Sequence, residues 1–505
     1  MAVEEKKLNQ KTTKEHGCYI PARFVFVGVL MLGTFLNVIL RSSLPISLTV
    51  MVRRNSSGGG GGSVEEDTCP APQTEQQAPS AGVVTGEFDW DEVTQSQILT
   101  AATYGVLAST LIGGRVSELW SPKYMFTICY GVSAAIYMLL PVTADWNVIA
   151  VVVSQVLSGL FSGPLQPVMM NICAAWFPPQ ERQLLFSITM AALPLGGIAS
   201  NLLTGNLLGV VGWRIVFYMF ASLVAAWTLL WMIFVYDSPN SHPRISDEER
   251  TYITESIKKN ENQVAAKLPW KQMLLSVPMW AHVIMGLPAQ WLNATLSNYQ
   301  PTYMRNILHF DTAMMGNISA GGTVITCISS VFFGFLSQWI RKKKYLSHLV
   351  TYHVFNGIST LVPAVLLVIL TFVGCNPWAI VPLLALVGIM SGAYIGGSQL
   401  NHMDLAVNYT GTIHGLSATV YSVVGIVAPN IVGVITNNKQ TLTAWNTVFY
   451  IAAGVKILPF FFFLFFGSVK EQPWNRIEQE ETESTDSKIT IKVGIDNGAE
   501  EHTRF

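Results

Sequence analysis

Long apolar runs separated by short polar stretches recur along the chain from Phe24 to Gly467. Each run is close to the roughly 20 residues that an α-helix needs to cross a bilayer. The pattern therefore predicts an all-helical membrane protein with about twelve spans. Their predicted bounds are 24–51, 95–119, 123–143, 147–176, 184–210, 213–236, 277–300, 313–340, 346–374, 377–401, 411–436 and 444–469.

The polar segments predict how the chain is divided. Ser246 and Glu249 have the spacing of a capping box, so a surface helix is expected to begin there, in the long gap after the sixth span. The stretches 53–93 and 471–505 are rich in Gly, Ser, Pro or acidic residues and are expected to be disordered. The expected parts are a tail at 1–22, a six-helix bundle at 23–237 that contains the loop 53–93, a linker at 238–275, a second six-helix bundle at 276–470 and a tail at 471–505.

Basic residues mark one side of the membrane. They precede the first span and follow the eighth, as Arg341-Lys-Lys-Lys344. An even number of spans places these segments on the same side, which the positive-inside rule makes cytosolic. Both termini are then cytosolic, and the loop 53–93 lies outside the cell or in a lumen. The sequon at Asn55 in this loop is therefore predicted to be a glycosylation site.

Composition excludes several classes of protein. Only 12% of the residues are charged, against about 25% in soluble proteins. Lys and Arg are sparse and lie between the spans, so we expect no nucleic-acid partner. A Walker A motif and any plausible catalytic constellation are absent from the sequence, which argues against a nucleotide-driven pump or an enzyme. The six cysteines lack metal-binding spacing, and neither a metal nor a cofactor is expected.

Two cysteines fall in polar loops on the side opposite the termini. Cys69 precedes the second span and Cys375 precedes the tenth. An oxidising exterior or lumen would permit a disulfide that ties the two halves of the chain together. The alternative is a pair of unrelated thiols.

Arg41 is the first candidate for a substrate-binding residue, because it lies about seventeen residues into the first span. A charge at membrane depth is costly unless it faces a cavity or a partner. Guanidinium is permanently charged and can bind a carboxylate or phosphate in a fork geometry. We therefore predict that Arg41 binds an anionic substrate; snorkelling or a structural ion pair is the alternative.

Span seven also carries polar side chains at membrane depth. Pro288 is followed in this span by Gln290, Asn293 and Tyr299. Proline and polar residues together are typical of the discontinuous helices that line transport sites. We predict a broken helix here, with these three side chains facing the cavity.

Four segments of the chain match a family pattern. They are Leu40-Arg41 with Leu44 and Leu48, Phe88–Gln95 with Gly113-Gly114, Trp176–Arg182, and Asn401-His-Met-Asp-Leu-Ala406. Together they resemble the anion–cation symporter family of the major facilitator superfamily, which contains sialin, the vesicular glutamate transporters and the type I sodium–phosphate cotransporters. The resemblance extends over 24–474. It implies two rocking six-helix bundles around a central cavity.

The resemblance also implies roles for residues near the cytosol. It implies that His402 and Asp404 act in gating or coupling, although a helix-end cap with a solvated carboxylate is an equal alternative. Arg182, in the matching segment after span four, and Glu118, in the stretch 113–123 that joins spans two and three, are further candidates for gating or coupling. The expected co-ion is sodium or a proton.

Span four departs from the family pattern. Coupled members carry an arginine and one or two glutamates here, where this chain has Gln155, Ser158 and Ser162. The usual proton acceptor is therefore missing, which makes His402 a candidate proton relay. The three polar residues either donate hydrogen bonds to a substrate or belong to a face of small residues that packs against another helix.

These observations predict a secondary transporter of inorganic phosphate or a small organic anion. Its expected partners are that anion and the lipid bilayer, with no obligate protein partner. One alternative is a vesicular or lysosomal carrier of an organic anion such as glutamate or sialate. An alternative of another class is a sensor or partner-binding protein that keeps this fold but does not transport. The lack of a clear acidic dileucine signal favours the plasma membrane over a vesicular or lysosomal membrane.

Overall fold

The computed structural model describes residues 21–53, 69, 86–178, 181–243, 245–258, 269–406, 409–437 and 439–475. Within them the chain forms two bundles, each of six spans, as the sequence predicts. Spans one to six are Ala22–Ser42 with Leu44–Met51, Glu92–Leu119, Pro122–Trp146, Val148–Ser162 with Leu165–Trp176, Arg182–Met190 with Ala192–Val211, and Trp213–Phe234. Spans seven to twelve are Val277–Asn306, Thr312–Lys342, His348–Leu370, Pro377–Ser391 with Gly392–Ile395, Thr410–Thr436 and Leu442–Phe466.

Short helices fill the connections. Asp247–Lys258 lies in the linker with a 3-10 turn at Pro239–Ser241, and Trp270–Leu274 leads into span seven. A 3-10 turn at Ser398–Leu400 and a helix at Asn401–Leu405 follow span ten, and Pro473–Asn475 forms a final 3-10 turn.

The breaks in the spans differ from the prediction. Span seven is one continuous helix through Pro288, so the expected broken helix is wrong. One proline removes a single backbone hydrogen bond, which membrane helices tolerate when neighbouring groups pack around it, and Pro288 is buried. Span one breaks instead at Ser43, ahead of Pro45. Because Pro45 has no N–H, it leaves the Arg41 carbonyl without its helical partner.

The linker helix docks on the start of span one. The Ser246 hydroxyl accepts a hydrogen bond from the backbone N–H of Glu249 at 3.2 Å and so caps this helix. The Glu249 carboxylate accepts from the backbone N–H groups of Ala22 at 2.9 Å and Arg23 at 3.2 Å. Glu249 thereby satisfies donors at the beginning of span one, which have no partner within their own helix.

Two segments expected to be disordered are partly packed. At the end of the loop 53–93, Phe88 pairs with Val52 and stacks on Trp90 with ring centroids 4.5 Å apart. At the start of the C-terminal tail, the backbone N–H of Gln472 donates to Leu405 at 2.9 Å, and Trp474 is buried. Apolar aromatic side chains explain both departures, because their burial stabilises segments whose overall composition is polar. Asn55 lies outside the described residues.

A disulfide joins Cys69 to Cys375. Cys69 is buried against the second bundle, and its carbonyl lies 3.2 Å from Nε2 of His309. The loop between spans one and two is thus attached covalently to the other bundle.

The two bundles meet near one face of the membrane. We call the side that carries Pro21 and Asn475 the inner side and the opposite side the outer side. In the outer halves of spans two and eleven, Ser96 lies 3.3 Å from Asn430. In the outer halves of spans five and eight, Gly205 packs against Gly316. A Cβ added to Gly205 would lie 2.7 Å from the Cα of Gly316. These contacts close the space between the bundles on the outer side.

Candidate functional site

A cavity of about 1280 Å³ lies between the bundles. Side chains of spans one to five, seven, eight, ten and eleven line it. Among the described lining residues, Arg41 is the single charged side chain. The lining includes residues from the inner halves of spans two, four and eleven, so the cavity extends towards the inner side.

Arg41 lies where span one breaks. Its side chain lines the cavity near Tyr137. No carboxylate in the described part of the chain lies within ion-pair distance of Arg41. The structural ion pair considered as an alternative is therefore absent from the described residues. An unpaired guanidinium on a cavity wall is suited to bind an anion.

Two amide groups beside Arg41 have unused donors. Asn37, one turn before Arg41, and Gln155 of span four both line the cavity. Nδ2 of Asn37 and Nε2 of Gln155 are buried without a hydrogen-bond partner. A buried donor that lacks a partner costs free energy, so such groups are expected to bond something that enters the site. The Tyr137 hydroxyl donates to Oε1 of Gln155 at 3.5 Å and so helps to orient this amide.

The predicted residues of span four fall into two groups. Gln155 and Ser162 line the cavity. Ser158 is fully buried behind the wall, and its hydroxyl has no hydrogen-bond partner within the described part of the chain. Ser162 donates to the Gly159 carbonyl at 3.1 Å. The helix thus presents Gln155 to the site and uses Ser158 within the packing.

Of the three predicted residues in span seven, the structure places one in the cavity wall. Asn293 lines the cavity, and its Oδ1 accepts from Ser297 at 3.2 Å. Tyr299 points to span eleven, where its hydroxyl donates to the Pro429 carbonyl at 2.8 Å. Gln290 is half-buried and is not part of the lining. The prediction of a cavity-facing position is therefore wrong for Tyr299 and Gln290; in a continuous helix Tyr299 lies on a different face from Asn293.

His402 and Asp404 lie on the short helix after span ten and face different neighbours. The ring of His402 is buried between His282 and His414, with centroids 5.2 and 5.6 Å away. Burial, with a smaller contribution from the nearby His414, lowers the pKa of His402 to about 4. Neither His402 nor Asp404 lines the cavity.

Asp404 belongs to a separate polar cluster at the inner side. Its Oδ2 accepts from the Tyr352 hydroxyl at 2.7 Å and lies 3.5 Å from Nε2 of His348. The same nitrogen of His348 lies 2.8 Å from Nη1 of Arg341. This arrangement connects the inner ends of spans eight, nine and ten. The side chains of Glu118 and Arg182 lie outside the described part of the structure.

Sequence reasoning missed Asn37 and Tyr137. Asn37 precedes Arg41 by four residues, a spacing that places both on one helix face, and this signal was available. Tyr137 lies in an apolar stretch of span three, and its proximity to Arg41 follows only from the packing of the bundle.

Comparisons with known proteins agree on the kind of molecule. The model of the Major Facilitator Superfamily matches residues 30–429. The chain is 31% identical to human sialin over 456 residues, covering 90% of each protein. It is 28% identical to mouse vesicular glutamate transporter 2, over 92% of this chain and 76% of that protein. It is also 28% identical to a mouse protein named probable small intestine urate exporter, over 77% of this chain and 78% of that protein.

Solved structures share the fold at low sequence identity. A bacterial homologue of the human lysosomal transporter Spinster, inward-facing and unoccupied, superposes with a TM-score of 0.67 at 12% identity, over 90% of this chain and all of that chain. A D-xylose–proton symporter superposes with a TM-score of 0.61 at 15% identity, over 89% of this chain and 99% of that chain.

Proposed function

The chain belongs to the major facilitator superfamily and, within it, to the family of sialin and the vesicular glutamate transporters, and from this premise we propose that it carries a small anion across a membrane. Transporters of this fold expose a central site first to one side and then to the other. The chain is thus a secondary transporter.

The observation that carries the proposal is the unpaired Arg41 in the cavity wall. A guanidinium that lacks a carboxylate partner is free to bind an anion in a charge-assisted, bidentate geometry. The unused donors of Asn37 and Gln155 lie in the same wall and would complete the coordination of an anionic group.

A small organic anion fits the site better than inorganic phosphate. Tyr130 and Tyr137 line the cavity near Arg41 and offer apolar ring surface to an organic group. The relatives named above include proteins named for glutamate and urate, which are organic anions. Inorganic phosphate stays the second candidate, and sodium or a proton is the proposed co-ion.

The closed outer side indicates which contacts must open during transport. The pairs Ser96–Asn430 and Gly205–Gly316 join the bundles in their outer halves. Rocking of the bundles would separate these contacts and bring the inner halves together. We propose that the inner side is cytosolic, since Arg341-Lys-Lys-Lys344 lies there.

The membrane itself is a separate question. The lack of a clear acidic dileucine signal supports the plasma membrane, whereas relatives named vesicular transporters support a vesicular or lysosomal membrane. Microscopy of the tagged chain, with surface biotinylation, decides between them: labelling of intact cells supports the plasma membrane, and protection from the reagent supports the internal membrane.

Uptake by purified protein in proteoliposomes tests the proposal. Labelled glutamate, sialate, urate and phosphate are offered singly under an imposed sodium or proton gradient. We expect uptake of at least one anion that Arg41→Ala abolishes and Arg53→Ala preserves, because Arg53 is an arginine with a 54% exposed side chain outside the cavity. Absence of uptake by folded wild-type protein would contradict the proposal and favour the non-transporting alternative.

A further inference from the structure

The interior of the membrane domain contains basic side chains but no carboxylate. The sequence of spans seven to twelve has no Asp or Glu. In spans one to six, the acidic residues Glu92, Glu118 and Asp145 lie in the first or last turn of a helix. Apart from residues in the first or last turn of a span, the lysine and arginine residues are Arg41, at the break within span one, Arg115, about one turn from the inner end of span two, and Lys456. A transporter that couples anion and proton movement without an interior carboxylate needs another proton-binding group.

Lys456 is buried near the middle of span twelve. Its side chain is 2% exposed, although lysine is almost never fully buried without a partner. Nζ donates to the Ser359 carbonyl at 3.3 Å and lies 3.4 Å from the Ser391 hydroxyl. No carboxylate in the described residues forms an ion pair with it.

The sequence builds this site around a proline. In span nine, Pro363 has no N–H to bond the carbonyl of Ser359, four residues earlier. That carbonyl is therefore free to accept from Lys456. On the other side, Ser391 ends the first helix of span ten and lines the cavity. Nζ of Lys456 is thus one hydroxyl group away from the cavity that contains Arg41.

The site suits both protonation states of lysine. An ammonium can donate to the Ser359 carbonyl and to the Ser391 oxygen. A neutral amine can still donate to Ser359 and accept from the Ser391 hydroxyl, since a hydroxyl both donates and accepts. Loss of the proton therefore leaves no polar group in the site without a partner.

Other titratable groups on the packed helices have other neighbours. The ionisable imidazoles on spans seven, nine and eleven are His282, His348, His353 and His414. His282 contacts the Ser398 carbonyl, and His348 contacts Arg341 and Asp404. His353 packs on Phe463, and His414 packs on His402. Among the described residues, none bonds to Nζ, and tyrosines on these helices ionise only near pH 10 or above.

We propose that Lys456 is the proton-binding group that couples proton movement to anion movement. The inference rests on the proposed function, because it needs an anion in the cavity. An anion bound beside Arg41 brings negative charge that stabilises the ammonium through the low-dielectric interior. An unloaded cavity leaves the positive charge of Arg41, which favours the neutral amine. By reciprocity, protonation of Lys456 must strengthen anion binding by the same factor.

The cycle conserves the proton. On the side to which the cavity is open, a proton from water passes by way of the Ser391 hydroxyl to Nζ, forming an N–H bond, as the anion binds. The bundles rock, the anion leaves on the other side, and the same N–H bond breaks to release the proton to water there. The result is symport of the anion with a proton.

Two transport assays in proteoliposomes separate this inference from the proposed function. Counterflow exchange of glutamate, sialate, urate or phosphate at equal pH needs the substrate site but no coupling. Accumulation of the same anion under an imposed proton gradient, with the membrane potential clamped, needs both the substrate site and proton coupling. The variants are Lys456→Met, Lys456→Arg and, as a matched control, Lys439→Met, which removes an exposed lysine outside the cavity.

We expect Lys456→Met and Lys456→Arg to exchange anion well above the level of Arg41→Ala but to lose accumulation driven by the proton gradient. Lys439→Met should behave as wild type in both assays. Undiminished gradient-driven accumulation by Lys456→Met would overturn the inference and leave the proposed function intact. If wild-type protein exchanges none of the four anions, both the role of Lys456 and the proposed function are overturned. If Lys456→Met does not fold, Lys456→Arg, which keeps a positive charge, decides by the same two assays.

Discussion

Arg41 and Lys456 are both basic side chains inside the membrane domain, one in each bundle, yet their surroundings differ. Arg41 lies on the cavity wall beside unused amide donors, whereas Lys456 is 2% exposed behind that wall and bonds to a carbonyl and a hydroxyl. A guanidinium stays charged under all physiological conditions, while an ammonium in a low-dielectric site can lose its proton. We therefore propose that the first bundle binds the anion and the second couples its movement to that of a proton.

Removal of the Arg41 guanidinium should have the largest effect on transport. A hydrogen bond to a charged group contributes about 1.5–3 kcal/mol, so Arg41→Ala should weaken anion binding by about 10- to 100-fold or more. Arg41→Lys should recover part of the affinity, because the charge remains and the fork geometry is lost. Competition binding of the transported anion to detergent-purified variants measures this. Equal affinity for Arg41→Ala and wild type would remove Arg41 from the binding site.

Substitution of Lys456 should change the pH dependence of anion affinity and leave the anion-binding site itself intact. In wild type, anion affinity should rise as pH falls, by at most about tenfold per pH unit for one linked proton. Lys456→Arg is permanently charged, so its affinity should be nearly constant over the same range. The measurement is the apparent Kd at a series of pH values. A wild-type pH profile retained in Lys456→Arg would place the linked proton on another group.

The amide donors beside Arg41 should have smaller effects. An amide carries no charge of its own, so the loss of one amide–anion hydrogen bond should cost about 1.5 kcal/mol, the low end of the range for hydrogen bonds to charged groups, and Gln155→Met or Asn37→Leu should weaken anion binding by about tenfold. Both amide nitrogens are unpaired in the structure, so Asn37→Leu should not lower the thermal stability of the unliganded protein. Gln155→Met also removes the hydrogen bond that Oε1 accepts from the Tyr137 hydroxyl and should lower this stability slightly. Thermal unfolding with and without the anion measures these effects. A drop in stability of unliganded Asn37→Leu would show a packing role for Asn37 instead.

His402 should have the least effect on transport. Because burial lowers its pKa to about 4, His402 is neutral in the physiological range, and His402→Gln should leave the pH profile of anion affinity unchanged. Its effect falls on stability: the unfolded imidazole binds a proton below about pH 6.5 that the folded one excludes. The contribution of His402 to the free energy of unfolding is therefore complete above about pH 6.5. It is lost as the pH falls towards 4. An altered affinity profile near neutral pH would restore His402 as the proton relay.

The spans were predictable because a bilayer imposes length and apolarity on each helix. Their predicted bounds agree with the structure to within a few residues for most spans, although span seven extends to Asn306. Arg41 was predictable because an arginine at membrane depth needs a partner. The surroundings of Lys456 were not, since Ser359 and Ser391 lie on other helices and their approach depends on packing. Tyr299 failed as a site residue because polarity alone does not show which face of a helix meets the cavity.

Proton uptake on anion binding tests most directly whether Arg41 binds the anion and Lys456 binds the proton. Wild type, Arg41→Ala and Lys456→Met are mixed in detergent, in weakly buffered solution, with the anion that wild type exchanges, and a pH indicator records protons bound while label records anion bound. We predict that wild type binds the anion and takes up protons, that Lys456→Met binds the anion without protons, and that Arg41→Ala binds neither. Proton uptake by Lys456→Met equal to that of wild type would contradict the account.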